Sequence, residues 1–147
     1  MNRLFLIASV FTLTACNAAQ KPFEPTASQE AAPVHTFALL MYEHGDSWHH
    51  LSPEAQSELM TKYNAWVKDL QGRGIFKDGS PIGRGGVRIA LDAHNVPDAE
   101  PLDVNATSLT GFFIIEVKDA AEAERIAATC PALLHGETVH VRPVGHE

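Results

Sequence analysis

The chain has 147 residues, with 11 basic and 18 acidic side chains and a formal charge of −7. No run of lysine or arginine offsets that balance, which argues against nucleic-acid binding and against a polybasic membrane patch. The length suits one small domain able to bury a core of its own.

The first residues read as an export signal. Arg3 supplies a positive start, and Leu4 to Leu13 (LFLIASVFTL) is almost wholly apolar but too short to span a bilayer. Leu13-Thr14-Ala15-Cys16 then resembles the bacterial lipobox, in which the cysteine takes a diacylglyceryl group and an N-acyl chain after cleavage. Residues 1–15 are therefore expected to be a signal peptide and Cys16 the lipid-bearing first residue of the mature protein. Asn17 in place of aspartate favours the outer membrane over the inner one in a Gram-negative cell. Loss of Arg3 leaves ten basic against eighteen acidic residues, a formal charge of −8. With Cys16 lipidated, Cys130 has no disulfide partner, and a lone cysteine before Pro131 reads as a small buried hydrophobe.

Residues 16–33, with three prolines and mostly small or polar neighbours, read as a lipidated, flexible tether, and residues 34–147 as the folded domain. Val34 to Tyr42 (VHTFALLMY) predicts a central buried strand, followed by the polar loop Glu43 to Leu51. Ser52-Pro53-Glu54 is a helix start, and Ala55, Leu59, Tyr63, Val67 and Leu70 give that helix one apolar face up to Gly72 and Gly74. Gly74 to Gly79 reads as a short strand and a turn containing Asp78. Gly83, Gly85 and Gly86 form a bend without the Lys-Ser/Thr of a phosphate loop. Val87 to Leu91 alternates like a strand. Asp92 to Ser108 reads as a long irregular stretch, extended only near Pro101 to Val104. Leu109 to Val117 is a second strong strand. Asp119 and Glu122 frame the start of a second helix with Ala120, Ala123, Ile126 and Ala127 inward. Pro131 ends it, and Glu137 to Val144 is a final strand with Val139 and Val141 inward. The expected fold is α+β, with two helices on one side of an antiparallel sheet.

Several pieces carry a family likeness in their order and spacing: Met41-Tyr42, Trp48, Leu51 to Glu54, Gly74-Ile75 with Lys77 to Gly79, Gly111 to Val117, Cys130-Pro131 and Val139 to Val144. Over residues 36–144 they resemble the YCII-related domain, in the branch named for an Asp-Gly-Pro-Phe motif. The resemblance implies a ferredoxin-like subunit that pairs into a dimeric α/β barrel with a cleft per subunit. Most members have no assigned function, and a minority resemble dehydrochlorinases of aromatic breakdown. The typical branch carries a helix histidine and a nearby acid as a catalytic pair. In this chain Tyr63 falls at the histidine position. Ala99-Glu100-Pro101-Leu102 falls at the motif, whose aspartate aligns only by a shift to Asp98. Both departures count against inherited chemistry.

The candidate site residues follow from side-chain chemistry. His44, Asp46, His49 and His50 lie within seven residues and offer proton transfer near neutral pH. With Asp78 as an orienting carboxylate, His44, Asp46 and His49 are the catalytic candidates. Adjacent His49 and His50 fit no standard metal spacing, so no metal or other cofactor is expected. Tyr63, Trp48 and Arg88 are candidate ligand contacts, though Trp48 reads equally as a packing anchor. Arg84, Arg142 and His140 read as surface or interface charges, while His94, His135 and His146 have no evident partner. Two functions stay open: an envelope lipoprotein domain that binds a small molecule or a partner, or an acid–base enzyme acting on a small cyclic or aromatic compound.

Overall fold

The computed structural model describes residues 34–145. The expected signal peptide, Cys16, the tether and His146 lie outside the described residues. The strands are β1 (His35–Glu43), β2 (Phe76–Pro81), β3 (Val87–Leu91), β4 (Pro97–Pro101), β5 (Ser108–Val117) and β6 (Thr138–Pro143). The helices are α1 (Ser47–His50), α2 (Pro53–Gly72) and α3 (Ala120–Ala127), with a 3-10 helix at Pro131–His135. A four-stranded antiparallel sheet has the order β2-β5-β1-β6, and β3 and β4 pair in a separate two-stranded sheet. The fold is α+β and matches a ferredoxin-like domain.

β1 is central, as its apolar run predicts, and its alternation decides its two faces. Phe37, Leu39, Met41 and Glu43 are buried, while Thr36, Ala38, Leu40 and Tyr42 are half-buried. Phe37 and Leu39 meet Ile115 and Val117 of β5, Leu70 of α2, and Ala123 and Ile126 of α3. Both long helices therefore cover the same sheet face. Ser52 caps α2 by accepting from the Ala55 amide at 3.2 Å, with Pro53 in the first turn. Leu59 and Leu70 of the expected stripe are buried, but the main aromatic anchor of α2 is Trp66. Its ring meets Phe113 edge-on at 5.1 Å and its indole N–H donates to Thr129 Oγ1 at 2.9 Å. Asp119 caps α3 through the Glu122 amide at 2.8 Å, and the Glu122 carboxylate accepts from the Lys118 amide at 3.3 Å. Ala120, expected inward, is exposed, because burial begins one turn later at Ala123.

Three local expectations are corrected. Asp78 and Gly79 form no turn; they continue β2 past a bulge between Phe76 and Asp78. Gly79 is there for space rather than for a reversal: a Cβ on it would stand 2.4 Å from Phe113 Cδ1. The stretch after Leu91 is not irregular but the second half of a hairpin arm. Asp92 accepts from the amides of His94 and Val96 at 2.8 and 2.9 Å and makes the tip, which includes Asn95 at φ 61°. Pro97 and Pro101 can end β4 because it is an edge strand. The extended segment is thus 97–101 rather than 101–104. Finally, Pro131 starts a 3-10 helix instead of merely ending α3, and Gly136 at φ 91° releases the chain into β6.

Candidate functional site

The histidine loop does not converge. Asp46 accepts from the His49 ring at 2.7 Å, and this bond, helped by the His49 amide and charge and opposed by desolvation, holds its carboxyl below the ordinary range. That pair is solvated, with the His49 side chain 71% exposed. His44 instead lies 3.2 Å from Thr107 Oγ1, and His50 is exposed. The residues from Ser47 to His50 form a short helix capped by Asp46, which spreads the rings. Among the described residues, no three His, Cys, Asp or Glu side chains are placed to hold a metal ion. Trp48 is half-buried, and its carbonyl accepts from Gln56 Nε2 at 3.0 Å, tying the loop to α2. Asp78 is exposed on β2. Arg88 pairs with Glu100 on the exposed polar side of the hairpin arm. The Asp-Gly-Pro-Phe counterpart, Ala99 to Leu102, runs from exposed β4 into the loop beyond it.

The structure assembles a different set of residues at the end of β1. Glu43 continues the inward alternation of Phe37, Leu39 and Met41 and is 3% exposed. Its carboxylate accepts from the Ser47 amide at 2.7 Å and from the Ser47 hydroxyl, and pairs with Arg84 Nη1 at 3.1 Å. Arg84, expected as a surface charge, is enclosed because its remaining donors bind the return leg of the arm. Nη2 reaches the carbonyls of Val104 and Ala106 at 2.6 and 3.1 Å, and Nε reaches Val104 at 3.2 Å. One guanidinium thus ties both legs of the hairpin insertion to the core strand.

Around this pair lie His135, Glu137, Thr110, Tyr63 and Cys130. Thr110 Oγ1 is 3.2 Å from both Glu137 Oε1 and the Met41 carbonyl. Tyr63, from α2, sets its hydroxyl 3.8 Å from Met41 Sδ. Among the described residues, three enclosed atoms find no hydrogen-bond partner: both ring nitrogens of His135 and Glu137 Oε2. Such groups are costly to bury and rare in folded domains. Burial pushes His135 below its ordinary value against the pull of the Glu43 charge. Burial also raises Glu137, with the Thr110 bond opposing and the Glu43 charge adding. Both groups are driven toward their uncharged forms. Burial, then the Glu137, Cys130 and Glu43 charges, raise Tyr63 far above the usual phenol range. Burial lifts the Cys130 thiol to about 11, so it is no nucleophile near neutral pH. Beside this centre an open, mainly apolar groove of about 410 Å³ runs between α2 and the 3-10 helix, lined by Lys62, Trp66, Thr129, Cys130, Leu133 and Leu134.

Among the described residues, no helix packs on the opposite face of the main sheet. Register places Ser80, Phe112, Leu40 and His140 in one row and Asp78, Ile114, Ala38 and Arg142 in the next. The Tyr42 and His140 rings lie 4.6 Å apart on it.

Of the catalytic and ligand-contact candidates named from the sequence, only Tyr63 reaches the enclosed centre. Glu43, Arg84, His135 and Glu137 were missed as site residues; the one signal for Glu43 was its phase in β1. Residues 36–145 match the family described as YCII-related domain. No curated protein matches the sequence.

Proposed function

Because the chain belongs to the YCII-related domain family, we propose that it is a small-molecule-binding domain displayed on the cell envelope by a lipid anchor. The observation that carries the binding reading is the enclosed polar centre, with three unpartnered atoms on His135 and Glu137. It lies beside Tyr63, where the family likeness puts the helix histidine. An apolar groove adjoins it at Cys130, the side chain that groove and centre share. A ligand satisfying those atoms would remove the penalty of leaving them unpaired. The anchor rests on Leu13-Thr14-Ala15-Cys16 and the apolar run before it.

The domain works as a homodimer in this reading. The uncovered sheet face has an apolar middle of Leu40, Phe112 and Ile114. Asp78 lies on the β2 edge and Arg142 on the β6 edge of the same face. A two-fold axis along the strands sets each β2 edge over the partner's β6 edge and matches these charges.

A second reading, acid–base catalysis on a small cyclic or aromatic compound, is favoured by one observation. Burial moves the proton affinities of His135 down and of Glu137 up, the kind of tuning that an acid and a base sharing a site use. The loop histidines are the weaker candidates for that role, because they pair in solvent.

Native mass spectrometry of the full chain, extracted from membranes in detergent, tests these points together. The expected spectrum shows two copies, each starting at a diacylglyceryl- and acyl-modified Cys16, with an added small-molecule mass that vanishes in Glu137→Ala. An unmodified N-terminus removes the anchor, a monomer removes the dimer, and a ligand mass retained in the variant removes the site.

A further inference from the structure

The hairpin arm of β3 and β4 has two chemically different faces. Cross-strand partners in a ladder share a face. Val87 lies opposite Pro101, Ile89 opposite Ala99 and Leu91 opposite Pro97, so one face is wholly apolar. Arg88 lies opposite Glu100 and Ala90 opposite Asp98, so every charge of the ladder is on the other face. That alternation is the pattern of a strand pair with one side covered. Yet Val87, Ile89 and Leu91 are 60, 68 and 63% exposed, and Pro97, Ala99 and Pro101 are exposed as well. Neither core cluster includes a side chain of the arm. A two-stranded hairpin is barely stable alone in water, and a contiguous exposed apolar face marks a contact site. The root of the arm is fixed, by the Arg84 guanidinium and by the Leu102 amide, which donates to the Gly86 carbonyl at 3.0 Å.

We propose that this apolar face docks on the same face of a second copy, so that the two arms of a dimer clasp each other. The inference rests on the homodimer reading above. Three observations single out a second copy. The first is position. β2 ends at Pro81 and β5 begins at Ser108, so the arm leaves the main sheet at one end of this strand pair. A two-fold axis along the strands preserves their direction, and both arms then project from the same end of the dimer. The second is chemistry. A face of six apolar residues has no charge or polar side chain by which to select a foreign partner, and it complements its own copy. The third is area. A stable interface buries about 800 Å² per partner. On the open sheet face Leu40, Phe112 and Ile114 are already half-buried within one subunit and have limited apolar surface left to give. The exposed arm supplies more. A lipid surface fits this face less well. The face has no aromatic or basic anchor, and Asp92, Asp98 and Glu100 outnumber Arg88 along the arm.

Ile89 at the middle of the apolar face and Arg88 beside it on the charged face give the test. Each is replaced by cysteine in the full chain, and cells producing the variant are treated with a short bis-maleimide. Both side chains are exposed, so neither change threatens the fold. Ile89→Cys is expected to give a covalent homodimer in a yield well above that of Arg88→Cys or of the unchanged chain. Two copies in the native mass spectrum with no Ile89→Cys link, or with an equal yield from Arg88→Cys, overturn the clasp and leave the homodimer in place. Linkage of Ile89→Cys to a foreign protein instead of to itself overturns the clasp as well. So does its protection from a soluble maleimide without any link, the result expected of an arm laid on lipid. A single copy in the native spectrum, with no link, overturns the clasp and the homodimer together.

Discussion

Replacing Arg84 with methionine should destabilise the domain by about 3–5 kcal/mol, the usual cost of stranding one member of a buried ion pair. Arg84 is 12% exposed and Glu43 4% at the side chain, so water cannot take over the lost contact. The variant also releases the carbonyls of Val104 and Ala106, which freely hydrate once the base of the arm moves. Adding Glu43→Met should recover most of the loss, because the pair is replaced by apolar volume rather than broken. The recovery stays incomplete, since Ser47 loses the acceptor for its amide and hydroxyl. Chemical denaturation of the single and double variants gives both values. A loss below about 1 kcal/mol for Arg84→Met, the range of an exposed pair, would show that the guanidinium is not enclosed in solution.

The second large effect is on the pH dependence of stability, and its two contributors have opposite signs. His135 has a folded-state value below its ordinary 6.5. Its contribution is therefore complete above pH 6.5 and is lost as pH falls through the folded value. Glu137 has a folded-state value above its ordinary 4.5. Its contribution is complete below pH 4.5 and is lost as pH rises through the folded value. His135→Gln should accordingly flatten the loss of stability below pH 6.5. Glu137→Gln should gain on the unmodified protein as pH rises above 4.5. Urea midpoints measured from pH 4 to 8 separate the two. Parallel curves for the protein and both variants would mean that neither group is shielded as described.

Much of this fold is legible in the sequence. β1 and β5 announce themselves by dense apolar runs, and α2 and α3 by capping residues at Ser52 and Asp119 followed by regular apolar spacing. Of the arm, only β3 was readable, from the alternation of Val87 to Leu91. Its strands carry Val87, Ile89 and Leu91 but bury none of them, so their apolar content points to no core position, and Pro97 and Pro101 mask β4. The site was harder still, because its members meet only in three dimensions. Glu43 carried a usable sign: it stands in phase with Phe37, Leu39 and Met41, and a strand one residue longer turns it inward. Arg84 carried none, since its partner lies 41 residues away and its local setting is a glycine-rich bend. His135 and Glu137 follow a proline that reads as a helix stop, and nothing nearby signals that the 3-10 helix folds them under α2. The histidine loop shows the reverse error. Its dense side-chain chemistry draws the eye, yet a short helix spreads those rings into solvent.

In the proposed function, this domain binds small molecules at the enclosed centre of Glu43, Arg84, His135 and Glu137. Its most direct test is an unbiased fragment screen of the isotope-labelled full chain in detergent, with each binder located by chemical-shift mapping. The tightest binders are expected to move His135, Glu137 and Tyr63 together, and Glu137→Ala is expected to abolish their binding. Binders that instead gather on the loop from His44 to His50, or on the hairpin arm, with the His135 and Glu137 signals unmoved, would contradict it.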